Sequence, residues 1–173
     1  MQEFRPVTCC FTGYRAEKMP FAADDPVAVS VLAQALEQAI RKSAEDGYTR
    51  FFTGMSTGFD LWAAEAVLRL KPALGVQLLC AVPFDRQADQ FPLGWKRKFN
   101  DTLLRADQVF VLSRDYYAGC FAARNRFMVE ASSLVICYYD GCPGGTRQTV
   151  QLAKRSGLRI MNLADGQLVL PSL

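Results

Sequence analysis

Short apolar runs alternate along the chain with longer segments in which apolar residues recur at helical spacing. The apolar runs are of strand length and cover residues 7–11, 49–53, 76–82, 109–112, 134–139 and 158–161. The segments of helical period run from Pro26 until Gly47, from the turn 54–58 until Pro72, from about Trp95 to 105, over 120–133, and from the loop 140–145 through Lys154. The acids just before Pro26 are typical of a helix start.

This order of elements predicts the fold class. Repeated strand–helix units whose strands are continuously apolar indicate a parallel sheet that is covered on both faces. We therefore expect an α/β protein, a Rossmann-like three-layer sandwich with a mainly parallel sheet and helices on both faces. No linker or internal repeat divides the chain, so residues 1–173 are expected to form one domain.

The composition narrows the chemistry. The 173 residues include no histidine, which excludes Ser-His-Asp and Cys-His nucleophile pairs and any His-ligated metal. Any catalysis must then use carboxylates, Lys, Arg, Tyr, Cys or backbone amides. The net charge is +3, and residues 93–173 carry eleven Lys and Arg against six Asp and Glu. A surplus this small fits an anionic small molecule better than a long nucleic acid.

The cysteines and the lack of long apolar segments bear on the cellular location of the protein. The six cysteines contain no CxxC pair, and at least four lie in apolar runs, so we expect reduced core thiols and no metal. They are Cys9, Cys10, Cys80, Cys120, Cys137 and Cys142. Neither a signal peptide nor an apolar run of about eighteen residues is present, which favours a cytoplasmic protein with no membrane partner. The sequence does not determine whether the protein forms a homodimer.

Glycine-rich segments follow three of the predicted strands. They cover residues 12–15, 54–60 and 140–147. In a doubly wound sheet, ligands bind outside the carboxyl ends of the strands, so these segments are expected to meet at one edge. Glycines let the backbone approach an anion, and helix N-termini point amides at it. The sequence therefore predicts a site for a phosphate-bearing ligand.

Several side chains near these segments have two interpretations. Arg15 is either a surface charge or a phosphate ligand, and Asp60 is either a partner of the helix dipole or a hydrogen-bond acceptor for ribose hydroxyls. Glu65 either points inward as an acid or base, or pairs with Arg69 one turn later. The charges of residues 124–126 are either a solvated helix face or a cationic wall for the ligand.

The same segments resemble the SLOG superfamily of Rossmann-like proteins, in particular its bacterial YpsA-like branch. The likeness spans residues 12–147 and rests on Thr12-Gly13-Tyr14-Arg15, the stretch from Gly54 to Glu65, Arg124 to Val129, Tyr139-Asp140-Gly141 and Gly144-Gly145-Thr146-Arg147. The resemblance implies a pocket for a nucleotide or a nucleotide-derived ligand, such as an ADP-ribose-like compound. We expect no resident cofactor. The three glycine-rich segments and the resemblance together give the candidate ligand-binding residues, which are Thr12, Gly13, Tyr14, Arg15, Gly54, Met55, Gly58, Asp60, Arg124, Asn125, Asp140, Gly144, Gly145 and Thr146.

The superfamily also includes lonely-guy-type phosphoribohydrolases and DprA/Smf proteins, which bind single-stranded DNA. The hydrolases have an Arg-Lys-x-x-Met stretch, in which Asn125 replaces Lys here, and Thr149 stands where their catalytic Glu is expected. Nucleotide binding or sensing is therefore the first hypothesis, and whether any reaction is catalysed stays open.

Two alternatives remain. One is a nucleoside-5′-monophosphate phosphoribohydrolase-like N-glycosidase in which Glu65 or Asp140 replaces the missing Glu. The other is DNA binding, which rests on the basic second half and on four tyrosines. These are Tyr116, Tyr117, Tyr138 and Tyr139.

Overall fold

The computed structural model describes residues 5–165, and within this range strands and helices alternate as the sequence predicts. The six strands are β1 (Thr8–Thr12), β2 (Arg50–Thr53), β3 (Gln77–Val82), β4 (Gln108–Val111), β5 (Leu134–Cys137) and β6 (Arg159–Asn162). The five α-helices are α1 (Pro26–Glu45), α2 (Phe59–Leu74), α3 (Leu93–Arg105), α4 (Cys120–Glu130) and α5 (Gly145–Arg155). Short 3₁₀ turns cover Arg5–Val7, Ala16–Lys18 and Leu163–Asp165.

The strands form one sheet in the order β4-β3-β2-β1-β5-β6, and each neighbouring pair in this part of the chain is parallel. From β1 the chain builds outward to β4 and then returns to place β5 on the other side of β1. The strand order therefore reverses between β1 and β5, which opens a crevice at their carboxyl ends. The Rossmann-like α/β fold is confirmed.

Two cores lie on opposite faces of the sheet. Side chains alternate between the faces along each strand, so Cys9 and Phe11 of β1 pack with α1 and α2 while Cys10 packs with α4 and α5. Side chains of β2 alternate in the same way: Phe51 lies in the core beside α1 and α2, and Phe52 lies in the core beside α4 and α5. Five of the six free cysteines are buried, as expected. The expectation of a core thiol is wrong for Cys142, which is exposed because it lies in the turn between β5 and α5.

Three predicted helix ends differ from the structure. Pro72 does not end α2, which continues to Leu74 and stops at Gly75 in the left-handed conformation. Proline removes only one hydrogen bond so near the end of a helix, and the buried face of α2 outweighs that loss. Helix α3 starts at Leu93, two residues before the expected Trp95, and Pro92 occupies its N-cap position.

Helix α4 ends at Glu130 rather than near 133. The backbone N–H of Ser132 donates to the Val129 carbonyl (3.1 Å) in a closing turn, and its hydroxyl donates to the Met128 carbonyl (2.7 Å). A serine that bonds back to the preceding turn competes with helix continuation. The chain then enters β5 directly.

The start of α1 follows its sequence signal. The Asp25 side chain accepts hydrogen bonds from the backbone N–H groups of Val27 (3.0 Å) and Ala28 (3.1 Å), and Pro26 is the first helical residue. This cap satisfies two of the unpaired donors at the helix start. The local signal was therefore sufficient to place this helix.

Candidate functional site

Three turns meet at the carboxyl edge of the sheet around a cavity of about 120 Å³, which we call the crevice cavity. Ten of the residues that the sequence proposes for ligand binding line it: Thr12, Gly13, Tyr14, Arg15, Asp60, Arg124, Asn125, Gly144, Gly145 and Thr146. Five further residues line it: Ser56 and Pro143 lie within the predicted glycine-rich segments, whereas Phe11, Lys18 and Phe121 were not anticipated. The cavity lies at the switch point between β1 and β5, where this topology favours a ligand.

The turn after β1 packs directly on the start of α2. A side chain at Gly13 would place its Cβ 2.3 Å from the ring of Phe59, so only glycine fits there. Gly58 has a φ of 81° and faces the backbone of residues 14–16. The Phe59 N–H also donates to the Tyr14 carbonyl (3.1 Å). Both glycines thus allow close backbone approach, and the first two turns form one unit.

The turn after β2 holds the carboxylate of Asp60. Thr53 donates its hydroxyl to the Asp60 carbonyl (2.9 Å) and accepts from the N–H of Met55 (3.3 Å). Met55 is fully buried and has a φ of 64°, an uncommon backbone conformation for a residue other than glycine. The Ser56 N–H donates to Asp60 Oδ2 (3.3 Å). The turn therefore orients Asp60 toward the cavity.

Asp60 and Arg124 are oppositely charged and almost fully buried, with 6% and 5% of their surfaces exposed. Arg124 donates from Nη1 to the Gly54 carbonyl and from Nε to Asn125 Oδ1 (2.7 Å). A Cβ on Gly54 would lie 2.5 Å from Arg124 Nη1 and 2.9 Å from Asp60 Oδ2, so this glycine leaves room for both groups. Neither side chain is a solvated charge.

Burial dominates the protonation of this pair. It raises the pKa of Asp60 to about 6, although the charge of Arg124 and the hydrogen bond from Ser56 oppose the rise. Burial likewise lowers the pKa of Arg124, and Asp60 opposes that fall. Asp60 Oδ1 is buried and has no hydrogen-bond partner among residues 5–165. A buried carboxylate oxygen without a hydrogen-bond partner is costly to the folded state.

Further cations lie at the rim of the crevice cavity. Arg15 and Lys18 are exposed, and both line the cavity. The Arg15 guanidinium carbon lies 4.9 Å from the ring centre of Phe121, and that of Arg124 lies 5.7 Å from the same centre. These distances fit cation–π contacts, so one phenylalanine orients two arginines. The three cations outnumber the single carboxylate in the lining.

Hydrogen bonds join the turn after β5 to the turn after β1. The Tyr14 hydroxyl donates to Asp140 Oδ1 (2.6 Å) and accepts from the Asp140 N–H (3.2 Å). Burial and this acceptor raise the pKa of Tyr14 to about 12, while the hydrogen bond from Tyr14 lowers the pKa of Asp140. Asp140 also accepts from the Cys142 N–H (3.2 Å), which shapes the approach to Gly144 and the start of α5. Asp140 therefore supports the cavity from outside its lining.

Other proposed residues lie away from the lining. Gly54, Met55 and Gly58 shape the turns behind it. Glu65 accepts from Lys98 on α3 (2.5 Å), and Arg69 pairs with Glu37 on α1 (2.8 Å). The predicted Glu65–Arg69 pair is therefore wrong, because each side chain finds a partner on a neighbouring helix. Glu65 is not among the residues that line the crevice cavity.

Thr149 is buried in α5 and donates its hydroxyl to the Gly145 carbonyl (2.9 Å). It thus bonds within its own helix. In residues 5–165 no group of three or more Cys, Asp or Glu side chains is arranged to hold a metal ion. Over the same range, no helix combines the length and the apolar character needed to cross a bilayer.

A second, larger cavity of about 680 Å³ adjoins the first, and we call it the outer cleft. The two share Arg15, Ser56 and Phe121 in their linings. The remaining lining comes mostly from the segment after β3, residues 84–92, and from the segment after β4, residues 114–116. The outer cleft therefore also lies at the carboxyl edge of the sheet.

This fold and site define a doubly wound α/β protein whose glycine turns and buried charges converge at the switch point. A model of the YspA SLOG family matches residues 9–158. The chain belongs to this family. The resemblance noted in the sequence is thereby confirmed.

Individual relatives agree with this assignment. A UPF0398 protein of Halalkalibacterium halodurans is 30% identical over 148 residues, covering 83% of this chain and 78% of that protein. The structure of DNA processing protein A from Streptococcus pneumoniae shares the fold with a TM-score of 0.61 and 18% identity, covering 92% of this chain and 50% of its own. This chain therefore spans about half the length of that protein.

DNA processing protein A from Helicobacter pylori, described for its single-stranded DNA binding mode, also has a TM-score of 0.61. It is 17% identical, with 91% of this chain and 65% of that chain covered. At this identity, the likeness to both DNA processing proteins shows the fold alone.

Proposed function

We propose that this protein binds a nucleotide or a nucleotide-derived small molecule with its phosphate in the crevice cavity. Backbone amides of Gly13 and of the α5 start at residues 144–146 would face the phosphate, because helix N-termini leave amides unpaired. Arg15 and Arg124 would neutralise it, and arginine suits phosphate because its planar donors can bind two oxygens at once.

One observation carries this proposal. Three turns converge on a single cavity in which Asp60 Oδ1 is buried beside Arg124 and has no partner among the described residues. A purely structural carboxylate at this depth would be expected to have its oxygens bonded. A ligand hydroxyl could supply the missing donor, which suits the ribose of a nucleotide. Asp60 is therefore the proposed sugar contact and Arg124 the proposed phosphate contact.

Calorimetric titration tests the proposal with AMP, ADP-ribose and ribose 5-phosphate. Arg124→Met should weaken binding of a ligand by about tenfold or more, because it removes charge-assisted hydrogen bonds. Arg126→Met is the matched control, since Arg126 is exposed on the same helix and outside the lining. Its affinity should equal that of the wild type.

Arg124→Met changes a buried residue and could lose binding because it misfolds. Arg15→Met avoids this ambiguity, because Arg15 is exposed at the rim of the cavity. It should weaken binding by about tenfold while leaving the melting temperature near that of the wild type. The proposal is contradicted if none of the three ligands binds at millimolar concentration. It is also contradicted if Arg126→Met loses as much affinity as the two other variants.

A second candidate is hydrolysis of an N-glycosidic bond, which the raised pKa of Asp60 in the cavity favours. A carboxylic acid with a pKa of about 6 can exchange a proton near neutral pH. Chromatography of AMP, GMP, CMP and UMP after incubation with the protein would detect free base. Release that disappears in Asp60→Asn would establish this activity, and absence of release would leave binding as the function.

We propose that the protein is cytoplasmic and that it binds a small ligand rather than nucleic acid. The H. pylori protein with this fold is described as binding single-stranded DNA, so a gel-shift assay with single-stranded DNA is the relevant comparison. We expect no salt-sensitive complex, because the cations of the site line a small cavity rather than a long surface stripe. A stable complex that weakens with salt would contradict this.

A further inference from the structure

The outer cleft contains a cluster of aromatic rings beside the crevice cavity. The ring centres of Phe84 and Tyr116 are 5.5 Å apart, and those of Phe84 and Phe121 are 6.0 Å apart, both in edge-on arrangements. All three rings line the cleft, and 64% of the surface of Tyr116 is exposed. An exposed aromatic ring such as that of Tyr116 is suited to stack on a flat ligand.

A buried residue with an unpaired hydrogen-bond acceptor lines the same cleft. Gln87 is only 5% exposed and lines the cleft, and its Nε2 donates to the Gly54 carbonyl (3.3 Å). That contact fixes which end of the amide is the nitrogen, because a carbonyl can only accept. Gln87 Oε1 is left buried without a hydrogen-bond partner among residues 5–165. The position calls for a donor from outside the protein.

The Gly54 carbonyl links this acceptor to the crevice cavity. It accepts from Gln87 on one side and from Arg124 on the other. The proposed phosphate contact and the free acceptor are thus separated by a single peptide group. One ligand with an anionic end and a flat, amino-bearing end could reach both.

We infer that the outer cleft is the nucleobase subsite and that it selects bases with an exocyclic amino group. This inference rests on the proposed function, since the phosphate places the base. The amino group donates to Gln87 Oε1, and the base stacks on the Tyr116 side of the ring cluster. The specificity then comes from a buried acceptor that a base without the amino group leaves unpaired.

Two pairs of ligands test the inference, and in each pair only the amino group differs. AMP is compared with purine riboside 5′-monophosphate, and CMP with zebularine 5′-monophosphate, by calorimetric titration. In at least one pair the amino-bearing member should bind about fivefold more tightly or better. Equal affinities within both pairs would overturn the inference.

Ribose 5-phosphate separates this inference from the proposed function. If ribose 5-phosphate binds and the paired nucleotides do not differ, the phosphate site stands and the base subsite is wrong. If neither ribose 5-phosphate nor any of the nucleotides binds, both proposals fail.

Variants supply a second, independent readout. Tyr116→Ala should weaken binding of the preferred nucleotide by about tenfold and leave the affinity for ribose 5-phosphate unchanged, because only the base loses its stacking surface. Tyr117→Ala is the control, since Tyr117 is also exposed but does not line the cleft. Gln87→Met should abolish the difference within the ligand pair. A loss in Tyr117→Ala equal to that in Tyr116→Ala would contradict the stacking role.

Discussion

Asp60 and Arg124 are charged side chains that the fold buries close together at the carboxyl edge of the sheet. Taking charges out of water is costly unless they are paired and hydrogen-bonded. Arg124 finds protein acceptors in Gly54 and Asn125, whereas Asp60 keeps one oxygen unpaired. The imbalance predicts that Asp60 destabilises the ligand-free protein when it is ionised.

The pH dependence of stability tests this prediction. The pKa of Asp60 in the folded protein is about 6, above the value of about 4 for an unfolded chain, so the folded state binds this proton more tightly. The protonated Asp60 carboxyl therefore contributes stability that is fully present below about pH 4 and is lost as the pH rises through about 6. Between about pH 4.5 and about pH 7, the free energy of unfolding of the wild type should fall by about 2 kcal/mol relative to Asp60→Asn.

Urea unfolding of the two proteins at both pH values gives this difference directly. Other titrating groups are common to both proteins and cancel in the comparison. A difference in unfolding free energy that stays constant with pH would show that Asp60 is not a buried acid with a raised pKa.

At the scale of elements, the site depends on close contact between the turn after β1 and the start of α2. Gly58 combines a positive φ with a Cβ position only 2.5 Å from the Ala16 nitrogen. Gly47, after α1, has a φ of 96° but no atom within 4 Å of its Cβ position. A residue with a side chain would therefore strain the backbone at either position, and only at Gly58 would it also clash with neighbouring atoms.

Alanine substitution should separate these two effects. Gly47→Ala should lower the free energy of unfolding by about 1 kcal/mol, from strain alone. Gly58→Ala should lower it by about 3 kcal/mol, and its ligand affinity should fall because the two turns move apart. Denaturant unfolding of both variants checks the stabilities. Equal losses would mean that the turns are not in firm contact.

The elements also show what could be predicted from sequence. The cap at Asp25, the glycine turns and the apolar strands are local signals, so the order of elements and the meeting of the three turns follow from them. The Glu65–Lys98 pair joins side chains 33 residues apart on different helices, and no local pattern encodes it. The same holds for the contact of Phe121 with Arg15, which only the packed structure reveals.

At the scale of the whole molecule, the overall charge was a poor guide to the site. The sequence places the basic surplus in residues 93–173, yet two of the three cations that line the crevice cavity, Arg15 and Lys18, come from the first half. The reversal of strand order between β1 and β5 explains this, because it brings the turn after β1 beside the helices α4 and α5. Net charge describes a chain, whereas topology determines which charges meet.

The central claim is that one phosphate-bearing ligand occupies the crevice between β1 and β5. A crystal structure of the protein with saturating AMP tests it most directly. The phosphate is predicted in the crevice cavity, within hydrogen-bond distance of the Arg124 guanidinium and of amides in residues 144–146, with a ribose hydroxyl on Asp60 Oδ1. A phosphate bound elsewhere, such as between α4 and α5, or an empty cavity at saturating AMP, would contradict the claim.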